Sequence, residues 1–151
     1  MAISASDVAK LRKMTGAGMM DCKKALKEAN GDFDLAVDYL RKKGQKIASK
    51  RADREATEGV VFTRISEDRK KGIMISLNCE TDFVAKSDDF VNTANKIADT
   101  AMAELPENLD ALKGLTVDGK TVNDLIVEKT GVIGEKIELS FYSSIQGEDL
   151  G

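Results

Sequence analysis

The chain has no histidine and no tryptophan, and its 151 residues include only two cysteines and one proline. Without imidazole, a serine or cysteine triad has no base, and two well-separated thiols cannot build the usual zinc sites. The phosphate-binding loop G-x-x-x-x-G-K-[ST] and the dinucleotide motif G-x-G-x-x-G are both missing. The sequence therefore predicts a protein that is not an enzyme, has no catalytic side chains, and holds no metal or cofactor.

Cysteine usage and hydropathy indicate the compartment. Cys22 and Cys79 are too few for a disulfide framework, and each lies on an apolar stripe, so both are predicted to be buried thiols. No apolar run reaches the roughly 18 residues needed to span a bilayer. The N-terminus lacks the pattern of a secretory signal. We expect a soluble, cytoplasmic protein that makes no membrane contact.

The net charge of −3 hides an asymmetry between two parts of the chain. Residues 1–54 carry 13 Lys or Arg against 7 Asp or Glu, whereas residues 55–151 carry 10 against 19. Such a split predicts two modules with different surfaces. We expect a first domain over residues 1–45, a linker over 46–58 and a second domain over 59–151.

Three short helices are predicted in the first module. Ser4 begins a capping pattern with Asp7, and Gly16 suits the left-handed residue that closes a helix. Residues at helical spacing form the apolar faces, and these residues are Val8, Leu11 and Met14, then Met19, Cys22, Leu26 and Ala29, then Phe33, Ala36, Val37 and Leu40. Gly44 is expected to end the third helix. The result is a small three-helix bundle.

Met20 does not fit the apolar stripe of the second helix. It lies about 100° around the helix from Met19, on a face with Lys23, Lys24 and Lys27. A polarizable side chain on a cationic face suits a partner contact, while the alternative is that Met20 covers the edge of the bundle core. The residues alone favour neither interpretation.

A basic stretch over residues 41–54 raises the question of nucleic acid. Asp53 dilutes the positive charge, and no aromatic residue is interleaved for base stacking. Specific readers of RNA or DNA need more than scattered lysines. We therefore favour a solvated helix end and linker over a nucleic-acid patch, and we expect no direct nucleic-acid partner.

The second module combines strand-like and helical patterns. Its predicted elements are strands at 59–65 and 73–79 joined by a charged turn at 66–72, a helix at 87–103, a short helix after Pro106, a tight turn at Asp118 and Gly119, a helix capped by Thr121, and a third strand with Ile137, Leu139 and Phe141 alternating. The fold class is therefore α+β, with helices covering a small antiparallel sheet.

The segment N-C-E-T-D-F-V-A-K, residues 78–86, carries the most information. The alternation of the second strand stops at Glu80, and Ser87 is a good N-cap for the following helix. Phe83 therefore falls in a short connection, and connections run over the surface. An aromatic ring there either folds back into the core or is offered to a partner.

Two long segments resemble the bacterial elongation factor Ts family. L-R-K-M-T-G-A-G-M-M-D-C-K-K-A-L at 11–26, continued by A-N-G-D-F-D-L-A at 29–36, is similar to the N-terminal segment of that family. N-C-E-T-D-F-V-A-K at 78–86 is similar to its core motif, and I-G-E-K-I at 133–137 is a weaker third match. Typical members continue into a second core subdomain, so we expect a core subdomain of the dimerisation type that is truncated at its C-terminus.

The resemblance implies a function in translation elongation. The family is the guanine nucleotide exchange factor for elongation factor Tu, in its GDP-bound or nucleotide-free form, and its N-terminal module resembles a ubiquitin-associated bundle. The residues that the resemblance places against the partner are Arg12, Met19 and Met20 in the first module and Thr81, Asp82, Phe83 and Val84 in the second. It also implies that Met19 is partly exposed, contrary to its place on the apolar stripe. The alternative is a ubiquitin-associated-type binding module without exchange activity in the truncated form.

Overall fold

The chain forms two structural units in a computed structural model that describes residues 2–148. One unit comprises Met1–Asp53 and Val127–Glu135, and the other comprises Arg54–Ile126 and Lys136–Gly151. Helices and a small antiparallel sheet are both present, which confirms the α+β class. The expected truncation concerns an end of the chain whose last residues, 149–151, lie outside the described part.

The first unit is built from helices. They are α1 (Ala5–Thr15), α2 (Met19–Glu28), α3 (Phe33–Lys50) and the later residues of the helix Val122–Ile133, named α7 below. Ser4 caps α1, because its hydroxyl accepts from the N–H of Asp7 while the Asp7 carboxylate accepts from the N–H of Ser4. The Ser4 hydroxyl also donates to the Asp7 carboxylate at 2.7 Å, and this bond, together with the one from the Ser4 N–H, holds the pKa of Asp7 below its ordinary value. Gly16 ends α1 with a φ of 72°, as the sequence predicts.

The core of the first unit confirms most of the predicted apolar faces. Its buried members are Val8, Leu11, Ala17, Cys22, Ala25, Leu26, Ala29 and Ala36. Cys22 is a free, fully buried thiol, as expected. Met14 was grouped with the stripe of α1, but its side chain is exposed. The core of the bundle is therefore narrower than the periodicity indicates.

The predicted end of the third helix is wrong. Helix α3 runs through Gly44 and ends at Lys50, so residues 46–50, expected in the linker, are helical. Gly44 is buried, and a methyl group on it would lie 2.9 Å from the carbonyl oxygen of Val127. Glycine occupies this position because another backbone approaches closely there, rather than because the helix stops.

Cations of the basic stretch form ion pairs along the helices of the first unit. Arg41 and Lys42 both pair with Asp38, and these partners hold the pKa of Asp38 below its ordinary value. Lys43 pairs with Asp21 on α2. These cations are thus partly neutralised by acids of the same unit, which agrees with the preference for a solvated helix end.

The second unit contains a three-stranded antiparallel sheet in the order β1-β2-β5. Its elements are β1 (Glu58–Ile65), β2 (Lys71–Cys79), α4 (Asp82–Ala85), α5 (Asp88–Glu104), α6 (Leu109–Lys113), the hairpin of β3 (Thr116–Val117) and β4 (Lys120–Thr121), the first residues of α7, and β5 (Glu138–Gln146). The Asp118 and Gly119 turn is confirmed, because both residues have positive φ between β3 and β4. Among residues 2–148, the described helices are all too short or too polar to cross a membrane.

One face of the sheet packs against helices. Ile73, Ile75, Leu77 and Cys79 of β2 are buried, as their alternation predicts. Helix α5 contributes the fully buried residues Phe90, Ala94, Ile97, Ala98 and Ala101. Each CH₂ group buried in this layer contributes about 0.8 kcal/mol of transfer free energy, so the layer stabilises the unit.

The third strand differs from its prediction at one residue. Ser76 pairs with Phe141 while Leu77 pairs with Leu139, so Ser140 is the extra residue of a β-bulge. A bulge moves the following side chains to the opposite face. Leu139 is therefore buried and Phe141 is exposed, and simple alternation is wrong after Ser140. The outer face of the sheet displays the large apolar residues Val61, Ile65, Met74, Phe141 and Ile145. All of these except Val61 line a groove of about 330 Å³.

Candidate partner-binding surfaces

Hydrogen bonds hold the start of the segment that follows β2. The Glu80 carboxylate accepts a hydrogen bond of 2.8 Å from the N–H of Lys136, a residue 56 positions away. The buried Cys79 thiol donates to the carbonyl of Thr81 at 3.2 Å. These contacts fix the direction in which the chain leaves the sheet. The following residues therefore begin from a defined point on the second unit.

A one-turn helix, α4, occupies what the sequence predicts as an irregular connection. The hydroxyl of Thr81 accepts from the N–H of Val84 at 3.4 Å and so caps its first turn. The hydroxyl of Ser87 donates to the carbonyl of Val84 at 2.7 Å, and it accepts from the N–H of Phe90 at 3.4 Å. Ser87 therefore closes α4 and also caps α5, the second of these roles being the predicted one.

Phe83 points outward from this braced turn. Its side chain is 84% exposed, which is the largest exposed fraction given for any large apolar residue in the described chain. Asp82 is exposed beside it and pairs with Lys86 at 3.4 Å, while Val84 is half-buried. The ring is the apolar tip of a short helix with an acidic flank. The interpretation in which the ring folds back into the core is therefore wrong.

Removing the cap should loosen α4 without unfolding the sheet. In the Thr81→Val variant we expect the Val84 amide hydrogen to exchange with solvent about fivefold faster, because losing an N-cap hydroxyl costs about 1 kcal/mol. Thr81→Ser keeps the hydroxyl and serves as the control. Hydrogen exchange followed by NMR measures the effect, and equal protection in all three proteins would contradict a capping role for Thr81.

The first unit presents a separate surface at the start of α2. Arg12, Met19 and Met20 are exposed, and the side chains of the two methionines are 55% and 75% exposed respectively. The partial exposure implied for Met19 is confirmed, so its place on the buried stripe is wrong. For Met20, the interpretation as a cover for the core edge is also wrong, since a covering side chain would be shielded.

The turn between α1 and α2 sets the position of this surface. The Thr15 hydroxyl donates to the carbonyl of Leu11 at 2.9 Å and accepts from the N–H of Ala17 at 3.3 Å. The Cys22 thiol donates to the carbonyl of Ala17 at 3.6 Å. These bonds are buried within the unit and hold the chain that leads into α2. Met14 and Leu35 are also exposed on this unit, and of the two only Leu35 lies off the predicted apolar faces.

Within residues 2–148, no cluster of three or more histidine, cysteine, aspartate or glutamate side chains suits a metal ion. Both surfaces instead combine exposed apolar side chains with nearby charge, which is typical of sites that contact other proteins. The fold and these surfaces define an α+β protein with exposed apolar side chains on both of its units.

Comparison with known proteins agrees with this class. Residues 80–150 match the family model described as Elongation factor TS. The chain is 53% identical to elongation factor Ts of Christiangramia forsetii over 99% of this chain and 54% of that relative. It is 53% identical to elongation factor Ts of Rhodopirellula baltica over 98% of this chain and 45% of that relative. It is 51% identical to the Rhodococcus erythropolis protein of the same name, over 95% of this chain and 50% of that relative.

The chain is similar to the elongation factor Ts family, a family of translation elongation factors, over nearly its whole length. It spans about half the length of the curated relatives that it matches. The family model covers the segment with Phe83 and the third sheet strand, and the longer similarities add the helical first unit. The resemblance drawn from the sequence motifs is thereby confirmed.

Proposed function

We propose that the chain is a guanine nucleotide exchange factor that promotes GDP release from the translation GTPase elongation factor Tu. The observation that carries the proposal is Phe83, an 84% exposed ring on a capped helical turn within the segment that matches the family. Exposing a phenylalanine to water is unfavourable unless a partner covers it. A braced turn keeps the ring oriented, so little conformational entropy is lost on contact.

The proposed mechanism is displacement of the partner's magnesium site. A GTPase holds GDP through phosphate contacts and a Mg²⁺ ion that neutralises the phosphate charge. Phe83 enters between side chains of elongation factor Tu and moves the elements that carry the magnesium ligands. Asp82 brings a negative charge to the same place, while Thr81 and Val84 support the turn. Once the binding of Mg²⁺ is weakened, the phosphates lose part of the positive charge that neutralises them. GDP then dissociates faster.

Thermodynamic linkage makes the effect reciprocal. If the chain weakens GDP binding by a given factor, GDP weakens binding of the chain by the same factor. Binding of GTP then releases the chain, which is regenerated unchanged. The cycle needs neither a catalytic side chain nor a nucleic acid, and it takes place in the cytoplasm, where translation occurs.

We propose that the first unit supplies a docking contact for the same partner. Arg12, Met19 and Met20 would meet the GTP-binding domain, with the methionines adapting to its surface. We further propose that residues 1–45 form a ubiquitin-associated-like domain and that 59–151 form the core domain. Of the proposed connection, 46–58, the first five residues continue helix α3.

Release of a fluorescent GDP analogue from elongation factor Tu tests the exchange proposal. We expect the release rate to rise with the concentration of the chain and to saturate. Because the chain spans about half the length of its relatives, contact area is lost and half-saturation should require more protein than full-length elongation factor Ts, the positive control. An unchanged release rate at high concentration of the chain would contradict the proposal.

A second function remains in competition, namely a binding module of the ubiquitin-associated type without exchange activity. The 75% exposure of Met20 on a unit with its own core favours it. Affinity capture of partner proteins by the full chain distinguishes the two proposed functions. Capture that is lost in Met20→Ala and retained in Phe83→Ala, with no change in GDP release, would support this second function against the first.

A further inference from the structure

The first unit includes a segment that is distant in the sequence. Residues Val127–Glu135 belong to it together with Met1–Asp53. Val132 packs against the hydrophobic core formed by α1, α2 and α3. Thr130, two residues earlier, is only 2% exposed. The last part of α7 therefore behaves as a fourth helix of a bundle that the sequence predicts with three.

Two glycines permit an unusually close approach in this bundle. A methyl group on Gly131 would lie 2.7 Å from the Cα of Gly44. One on Gly44 would lie 2.9 Å from the carbonyl oxygen of Val127. Both glycines are inside helices, where glycine costs about 0.5–1 kcal/mol relative to alanine. Backbone contact between α3 and α7 gives the reason why the better helix former is not used.

The same segment reaches the turn before Met19. The Lys129 ammonium lies 3.7 Å from the position of a methyl group on Gly16, the residue that ends α1. Gly16 is followed by Ala17, whose carbonyl accepts a hydrogen bond from the Cys22 thiol. A shift of Val127–Glu135 would therefore displace the residues at the start of α2.

We infer that Gly44 and Gly131 are positioning residues, which dock Val127–Glu135 as a fourth helix and thereby hold the turn that presents Met19 and Met20. The role of the two methionines in this inference rests on the proposed function. The docking itself does not, because it concerns contacts within one unit. The two parts can therefore be tested by different measurements on the same variants.

The two buried cysteines report on the docking in the full chain. Both thiols are fully buried, Cys22 in the first unit and Cys79 in the second. Burial also raises the pKa of Cys22, which slows its alkylation in the folded protein. Iodoacetamide then labels each thiol at a rate that follows local opening of its own surroundings.

In Gly131→Ala we expect Cys22 to be labelled about tenfold faster or more, since overpacking against backbone is strongly unfavourable. We expect Cys79 to stay within about twofold of its own rate, because it lies in the core of the other unit. Gly44→Ala should act in the same way. Gly114→Ala is the matched control, because Gly114 is exposed and a methyl group there meets no atom closer than 3.6 Å.

Helix propensity alone predicts the opposite sign, with alanine slowing the labelling of Cys22. An unchanged or slower rate at Cys22 in both variants would therefore overturn the docking. An equal acceleration at Cys79 would also overturn it, since the whole chain would then have loosened. The milder Val132→Ala variant removes apolar contact without a clash and should shift Cys22 labelling in the same direction.

Nucleotide release tests the positioning. In Gly131→Ala, the concentration giving half-maximal acceleration should rise severalfold, while the maximal release rate, which depends on Phe83, should stay unchanged. Faster labelling of Cys22 together with an unaltered half-maximal concentration would overturn the proposed positioning of Met19 and Met20. If the wild-type chain does not accelerate release at all, the proposed function fails, while the labelling rates still decide the docking.

Discussion

Replacing Phe83 with alanine is expected to abolish the acceleration of GDP release from elongation factor Tu. The exposed ring is the part of the chain proposed to enter the partner, and alanine lacks the volume to separate two packed side chains. Truncating one aromatic residue at the centre of an interface costs about 2 kcal/mol or more, which is a factor of roughly 30 in rate or affinity. Release of the fluorescent GDP analogue measures the loss.

We expect this substitution to leave the stability of the folded chain nearly unchanged. Because Phe83 is 84% exposed, its truncation removes little buried surface, and the thermal midpoint should stay within about 2 °C of wild type. Phe141→Ala is the matched control, since Phe141 is also an exposed phenylalanine of the second unit, 47% exposed on the outer sheet face. It should leave the maximal release rate unchanged.

Two results would count against the wedge. If Phe83→Ala retained the full acceleration, the ring would have no part in exchange. If Phe83→Ala and Phe141→Ala lost activity equally, exposed apolar area in general would be acting, rather than the ring on α4. Loss confined to Phe83→Ala, at an unchanged thermal midpoint, is the expected outcome.

The sequence is most informative where one physical cause dominates. The sequence predicts Ser4 and Ser87 as helix caps, and both residues cap helices in the structure. A short side-chain acceptor before an apolar stripe has few other uses. The alternation of β2 correctly gave its buried face, since a strand covered on one side repeats every two residues. These local rules sufficed for the α+β class.

The failures lie where two causes produce the same residue type. Glycine suits both a helix end and a close backbone contact, and at Gly44 the second explanation is correct. Alternation in β5 did not reveal the extra Ser140, because a bulge depends on pairing with β2. Both contacts are formed with residues more than 60 positions away, so no local pattern contains them.

The candidate surfaces show the same division. Periodicity placed Met19 among core residues, and only the family resemblance implied its exposure. Helix α4 was missed, although Thr81 followed by Asp82 is a typical capping sequence, because four residues give no helical repeat. The anchor from Glu80 to Lys136 joins two segments that no spacing rule connects.

Gly59→Ala should produce the largest loss of stability in the second unit. A methyl group on Gly59 would lie 2.2 Å from the carbonyl oxygen of Leu77 and 2.8 Å from the Cα of Asn78. Both atoms are backbone, so no side chain can rotate away. The φ of 154° adds strain for any residue with a side chain. We expect a loss of about 3 kcal/mol or more in the free energy of unfolding.

The damage should reach the Phe83 turn through strand pairing. Gly59 pairs with Asn78, and its neighbour Glu58 pairs with Cys79, the last residue of β2. A loss of about 3 kcal/mol corresponds to labelling of Cys79 by iodoacetamide that is on the order of 100-fold faster. GDP release should fall as well, because the turn loses its fixed base.

Gly119→Ala separates strain from collision. Gly119 has a φ of 79° but no atom within 4 Å of the added methyl group, so only the conformational cost of about 1 kcal/mol applies. Cys79 should then be labelled only severalfold faster than in wild type. If the two variants labelled Cys79 equally fast, the clash with β2 would not control stability, and Gly59 would matter only for its backbone angle. The proposed coupling runs from a glycine on β1, through the end of β2, to an exposed ring on α4.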